Sequence, residues 1–188
     1  AEARARHPDL DVRPAEPDAD QRFLEAIADW CDRYTPLVAL DGDSGLFLDI
    51  TGCAHLFGGE KALMDDLLAR LFHQGLSAGA AIAATPGAAF ALSRYSSGMI
   101  VETGAEAGAL RPLPLAALRL EPGLASSLAR VGLQRVGDIM AAPRAPLARR
   151  FGAHLIRRLD QALGREEEAI SPRLPLPMIM AERRLAEP

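Results

Sequence analysis

Around residues 104–114 the chain changes character, and this switch limits its possible folds more than any other feature. Ahead of it, apolar runs of strand length alternate with apolar patterns of helical period; beyond it, every apolar pattern is helical and short. Phe23, Leu24, Ile27, Trp30 and Cys31 recur at helical spacing over 21–33, with Asp18 or Asp20 available as N-cap. The apolar runs 37–40 and 46–50 are split by Asp41-Gly42-Asp43-Ser44-Gly45, which predicts a β-hairpin. A helix from Glu60 carries Leu63, Met64, Leu67, Leu68, Leu71 and Phe72 on one face and stops at Gly75. Residues 78–84 read as a buried strand, Thr85-Pro86 as the cap of a helix reaching Tyr95, and 99–102 as another strand. Helix, two strands, helix, strand, helix, strand: this order predicts an α/β fold, of α+β ferredoxin-like type, over 1–104.

Gly104, Gly108, Pro112 and Pro114 predict a linker over 105–114. Short helices are then expected at 115–118, 124–131, 136–141, 146–151 and 154–163. Separated by tight Gly and Pro turns, they suggest a small all-helical module over 115–164 with helix-hairpin-helix character. The acidic, Pro-rich stretch 165–188 reads as a connector.

Charge follows the same division. Residues 111–165 hold ten arginines against Glu121, Asp138 and Asp160, a net of +7, although the whole chain carries −4. A basic module joined to an acidic one suits a polyanionic partner, nucleic acid above all. The competing reading is that these arginines solvate helix faces or pair with the carboxylates at 166–168. No apolar run approaches membrane-spanning length, and residues 1–14 do not resemble a signal peptide. Two cysteines, Cys31 and Cys53, give no disulfide framework, so a cytoplasmic setting is expected. The absence of an initiator Met suggests a piece of something longer.

Several chemical motifs carry less than they first suggest. Cys53-Ala54-His55, even with His7 and Cys31, matches no common zinc spacing, and no metal site is expected. Gly58-Gly59-Glu60-Lys61 lacks the Lys-Ser/Thr step of a phosphate-binding loop and reads as a helix start. Ser96-Ser97-Gly98 has no nucleophile-elbow frame, and the four His are scattered. No catalytic constellation emerges from the residues alone.

Tyr34-Thr35-Pro36-Leu37-Val38, followed by Leu48-Asp49-Ile50-Thr51-Gly52, resembles the palm of Y-family translesion DNA polymerases. There a "YSP-V" stretch precedes a strand reading "SIDEAFLDVTG". The resemblance runs on through the Gly-led helix and the turn Ala81-Ile82-Ala83-Ala84-Thr85-Pro86. It reaches the thumb, where Val131-Gly132-Leu133-Gln134-Arg135-Val136-Gly137-Asp138-Ile139 is similar to "hGI-TIGDL". Phe151-Gly152 and 160–164 match the thumb's close. It thus implies a palm over 1–104, whose first strand lies outside this chain, then a thumb over 115–164 and a connector toward a little-finger domain. LDITGCAHLFGGE, residues 48–60, is more specifically similar to noncatalytic, polymerase-like subunits of bacterial SOS mutagenesis.

Where the family has its adjacent Asp-Glu metal ligands, this sequence has Ser44 and Gly45. Two-metal phosphoryl transfer needs clustered carboxylates; serine is a weak ligand and glycine none. Asp41 and Asp43 share strand parity and could form a displaced pair, although Asp-Gly-Asp is usually only a turn. The family's other metal Asp is expected on the first strand. The thumb hairpin departs too: the family's Gly-x-Gly becomes Glu121-Pro122-Gly123, leaving Gly123, Leu124 and Ala125 to open a helix toward a phosphate.

Three functions follow. The first is a noncatalytic adaptor in SOS translesion synthesis that needs no cofactor. It would bind DNA and, through regions outside this chain, a catalytic error-prone polymerase, a companion SOS protein and the sliding clamp. The second is an active polymerase with altered ligands, requiring Mg2+ near Asp41 or Asp43. The third is a protein-interaction scaffold without DNA affinity. The DNA-contact residues expected are Gly123, Leu124, Ala125, Arg130, Arg149, Arg150, Arg157 and Arg158. If 146–163 is near-continuous helix, Arg150 and Arg157 lie two turns apart on one face.

Overall fold

A computed structural model of the chain describes residues 14–173, so His7 and the connector beyond Arg173 lie outside the described residues. It resolves into two compact units, Ala1–Asp49 with Pro172–Pro188, and Ile50–Ser171. The chain is mixed and mainly helical, with a small two-stranded sheet.

In the first unit, helix α1 (Pro17–Cys31) begins earlier than its apolar period suggests, because Pro17 at the first helical position starts the turn. Glu16, not Asp18 or Asp20, occupies the N-cap position, and both aspartates lie in the first turn, where they complement the helix dipole. The hairpin follows as β1 (Val38–Asp41) and β2 (Gly45–Leu48), antiparallel, with Val38 opposite Leu48 and Asp41 opposite Gly45. Gly42, at φ 63°, makes the reversal in a conformation that glycine adopts without strain. Tyr34 and Thr35 are buried; the Thr35 hydroxyl donates to the Asp49 carbonyl and accepts from the Leu37 amide, fixing the chain's path into β1. Arg173 donates to Asp29 and to the Glu25 carbonyl, and its amide donates to Val38 O at 2.8 Å.

The second unit starts with a 3-10 turn (Ala54–Phe57) and α2 (Glu60–His73), which ends before Gly75 at φ 81°. The two strands expected at 78–84 and 99–102 shrink to one parallel bridge, Ile82 to Ile100. The amides of Gly98, Ile82 and Val101 donate to Ala80, Met99 and Ile82 carbonyls, respectively. Pairing stops there because Ala80 N turns to the Ser97 hydroxyl, and Gly79 sits where a Cβ would come within 2.6 Å of the Ser93 carbonyl. Among the described residues, then, the ferredoxin-like sheet expected over 1–104 is represented by a hairpin and a bridge.

Helix α3 (Pro86–Tyr95) is capped as its sequence indicates: the Thr85 hydroxyl accepts from the Ala88 amide. Residues 105–114 are not an open tether. They contain α4 (Glu106–Leu110), bury Leu110 and Leu113, and hold the Glu106 carboxylate on the Gly104 amide at 2.8 Å. A second 3-10 turn (Leu115–Leu118) precedes α5 (Pro122–Ala129), α6 (Val136–Ala141), α7 (Arg144–Phe151) and α8 (Ala153–Ala162). One apolar core joins them to α3: Ala88, Leu92 and Val101 share it with Leu110, Leu128, Ile139, Leu155 and Leu159. Helix α3 meets α8 so closely that a Cβ on Gly87 would lie 2.8 Å from Ala162 Cα.

Candidate nucleic-acid interface

The run from Val131 to Ile139 places three residues for distinct physical reasons. Gly132 takes φ 85° after α5, and Gly137 leaves room for Arg111, whose carbonyl would meet a Cβ at 2.9 Å. Asp138 caps α6, accepting from the Gln134 and Arg135 amides at 2.8 and 2.9 Å. These amides hold its carboxyl below the ordinary carboxylate value.

The expected contact residues divide sharply by surroundings. Gly123, Leu124 and Ala125 do open α5, and Gly123 is exposed with no atom near the place of a Cβ. The Leu124 and Ala125 amides, however, both donate to the Glu121 carbonyl, at 2.9 and 3.3 Å. Of the three, Gly123 keeps the amide best placed for an external anion. Arg130 caps the other end of α5, exposed, with its guanidinium on the Ser127 hydroxyl at 2.9 Å.

Arg149 and Arg150 lie exposed in the last turn of α7, beside an open depression lined by Ala145 and Pro146. The Arg150 guanidinium rests 5.2 Å over the Phe151 ring. The continuous helix that would set Arg150 and Arg157 in one stripe does not exist. Gly152, at φ 90° and ψ 152°, ends α7 and starts α8, a backbone state that a residue with a Cβ rarely adopts.

Arg157 is exposed but pairs with Glu166 at 3.3 Å. Arg158 is mostly covered: its guanidinium meets Glu168 at 2.9 Å, Gln161 Oε1 at 3.1 Å and the Leu118 carbonyl at 3.4 Å. Arg119 reaches the same Glu168 at 2.6 Å, and its positive φ of 54° makes the turn ahead of α5. Asp160 pairs with Arg144 and Arg165, and its hydrogen bond raises the Arg144 guanidinium above its ordinary value. The acidic run 166–168 signals these pairs in the sequence; the roles of Arg119 and Asp160 carry no such local signal. Among the described residues, Arg111, Arg130, Arg135, Arg149 and Arg150 are exposed and form no ion pair. Within the stretch 111–165 they are the cations left to an external polyanion.

At the two positions where the resemblance expects metal carboxylates, Ser44 lies in the hairpin turn and Gly45 opens β2 opposite Asp41. A Cβ at 45 would lie 3.2 Å from both the Asp41 carbonyl and its Oδ2. Ser44 and Gly45 do not supply the adjacent carboxylate pair of a two-metal centre, and Asp41 and Asp43 join no cluster of three potential ligands among the described residues. Among the described residues, no three His, Cys, Asp or Glu side chains converge, and no helix is long and apolar enough to cross a membrane.

No family model matches the chain. It is 51% identical over 176 residues to Protein ImuB of Caulobacter vibrioides, across 93% of this chain and 38% of that protein. DNA polymerase IV 2 of Mesorhizobium japonicum is 28% identical over 156 residues, 80% of this chain and 36% of its own. The chain therefore spans well under two thirds of the relatives it matches. A DinB family error-prone DNA polymerase from Sulfolobus solfataricus superposes with a TM-score of 0.74, over 91% of this chain and 54% of that one, at 16% identity. A Y-family DNA polymerase chimera superposes with a TM-score of 0.69, over 92% of this chain and 52% of its own, also at 16% identity. At that identity the likeness is one of fold. By sequence and fold together, the chain is a relative of the Y-family DNA polymerases, of the ImuB type.

Proposed function

We propose that this chain is the palm and thumb region of a noncatalytic, polymerase-like adaptor in bacterial SOS translesion synthesis and induced mutagenesis. It binds the DNA backbone with a thumb of helix-hairpin-helix character and acts in the cytoplasm. A catalytic error-prone polymerase, a companion SOS protein and the sliding clamp engage the protein outside this chain. The observation that carries the reading is the hairpin turn: where the family's adjacent carboxylates would stand, Ser44 and Gly45 offer no matching ligands on a retained polymerase fold. Such a protein keeps the shape that recognises primed DNA while leaving phosphoryl transfer to a partner.

Fluorescence anisotropy on primed duplex DNA across a salt series tests the binding arm. Each phosphate neutralised contributes about 0.9 to the log–log salt slope. Changing Arg149 and Arg150 together to Ala should reduce the slope by about two units and leave the melting temperature in place. An unchanged slope defeats the site assignment. Template-dependent, Mg2+-dependent primer extension by the purified protein, surviving controls for contaminating polymerase, defeats the noncatalytic reading and returns the active polymerase with altered ligands.

A further inference from the structure

Past α8 the chain turns at Gly164, φ 70°, and the run Glu166-Glu167-Glu168 comes back onto the arginines of its own unit. Its two ion-pairing carboxylates sit in opposite environments. Glu168 holds Arg119 and Arg158 at 2.6 and 2.9 Å, with all three side chains under one fifth exposed. Arg119 also lies 4.9 Å over the Phe90 ring, and Arg158 is tied to Gln161 and the Leu118 carbonyl. Parting such a pair strands covered charge without a partner, so an arriving phosphate does not displace Glu168. Glu166 touches Arg157 through one 3.3 Å contact, with side chains 47% and 61% exposed. An exposed pair of this kind shifts an equilibrium by no more than about fivefold, well within reach of a polyanion.

We infer that Glu166 is a built-in competitor for Arg157: it occupies the guanidinium until a nucleic-acid phosphate displaces it, while Glu168 keeps Arg119 and Arg158 permanently out of the interface. This rests on the proposed DNA-backbone contact of the helical unit. It divides that contact into open arginines (Arg149 and Arg150), a gated one (Arg157) and a structural one (Arg158). Arg158, expected from the sequence to be a contact, becomes a positioning residue that fixes the segment from which Glu166 reaches back.

Glu167 supplies the control, because it is exposed, adjacent and outside every ion pair among the described residues. Glu166→Gln and Glu167→Gln change the net charge equally, so any difference between them isolates the pair. Glu166→Gln should bind primed duplex DNA about two- to fivefold more tightly than Glu167→Gln at low salt. In an Arg157→Ala background the two should coincide, closing a double-mutant cycle. Glu168→Gln should lower the melting temperature without the gain in affinity. Elution from immobilised heparin repeats the comparison on a polyanion that is not DNA. A later elution of Glu166→Gln than Glu167→Gln, lost with Arg157→Ala, supports the gate even if the unmodified chain shows no affinity for DNA. That last result would defeat the DNA reading alone. Coincidence of Glu166→Gln and Glu167→Gln on heparin, or a difference that survives Arg157→Ala, overturns the gate whatever DNA does.

Discussion

Replacing Gly87 by Ala should destabilise the chain, although the same exchange in most helices is helpful. Gly87 is buried in the first turn of α3, and the added methyl would lie 2.8 Å from Ala162 Cα and 3.1 Å from both its Cβ and its amide nitrogen. Ordinary carbon contacts are about 3.5–4.0 Å, so the helices must part by roughly 1 Å. Main-chain atoms on α8 cannot swing aside as a side-chain tip would. Parting also stretches the 3.0 Å hydrogen bond from the Thr85 hydroxyl to the Ala162 carbonyl. Overpacking of this kind costs about 1–3 kcal/mol, against a helix-propensity gain of at most about 1 kcal/mol. The net expectation is a loss of about 1–2 kcal/mol, or roughly 2–8 °C in melting temperature at this chain length. Gly108 in α4 is the internal control. It is exposed and no atom lies within 4 Å of the place of its Cβ. Gly108→Ala should therefore gain about 0.4–1 kcal/mol through the unfolded chain. Urea titration followed by far-UV circular dichroism reads both as midpoint shifts at constant slope. A Gly87→Ala midpoint equal to or above that of the unmodified chain refutes the close helix–helix approach.

Other expectations are as direct. The Asp138 carboxyl is lowered by the Arg135 and Gln134 amides, so its stabilising contribution is fully present above the unfolded value of 3.8 and is lost as pH falls through the lower folded one. Thermal melts from pH 6 down to about 2.5 should show Asp138→Asn losing that acid limb, and parallel curves would argue against the cap. Burial, with Asp32 adding and Arg33 opposing, pushes the Cys31 thiol up to about 11. In the folded chain Cys31 should therefore react with a thiol reagent far more slowly than half-buried Cys53, and the two should converge in denaturant. Equal rates in the folded state would contradict the packing around Cys31.

The elements legible in the sequence are those whose signals are local. Thr85-Pro86 announces α3 because the cap and the first-turn proline act within four residues, and 136–141 is helical to the residue because Asp138 caps it. Gly75 ends α2 for the same kind of reason. What the sequence hides depends on partners far along the chain. The strands expected at 78–84 and 99–102 need neighbours to pair with, and only Ile82 and Ile100 bridge. The proposed contact surface was legible as charge but not as availability. Ten arginines stand between 111 and 165, yet which of them are spent is decided by Asp160, Glu166 and Glu168. Gly152, one residue with a positive φ, suffices to dissolve the expected arginine stripe.

The core that runs from Ala88 to Ala162 also sets how such a chain can be rearranged in evolution. A crossover within 105–114 looks permissible from its glycines and prolines. It would instead sever Leu110 and Leu113 from Leu92 and Val101 and leave an oily face on each fragment. Such recombinants would aggregate rather than inherit half a function. The helical part and α3 belong to one compact unit from Ile50 to Ser171, and are therefore expected to be exchanged only as one block. Variation tolerated by this lineage should gather at the block's exposed, charged rim and spare the seam between Gly87 and Ala162.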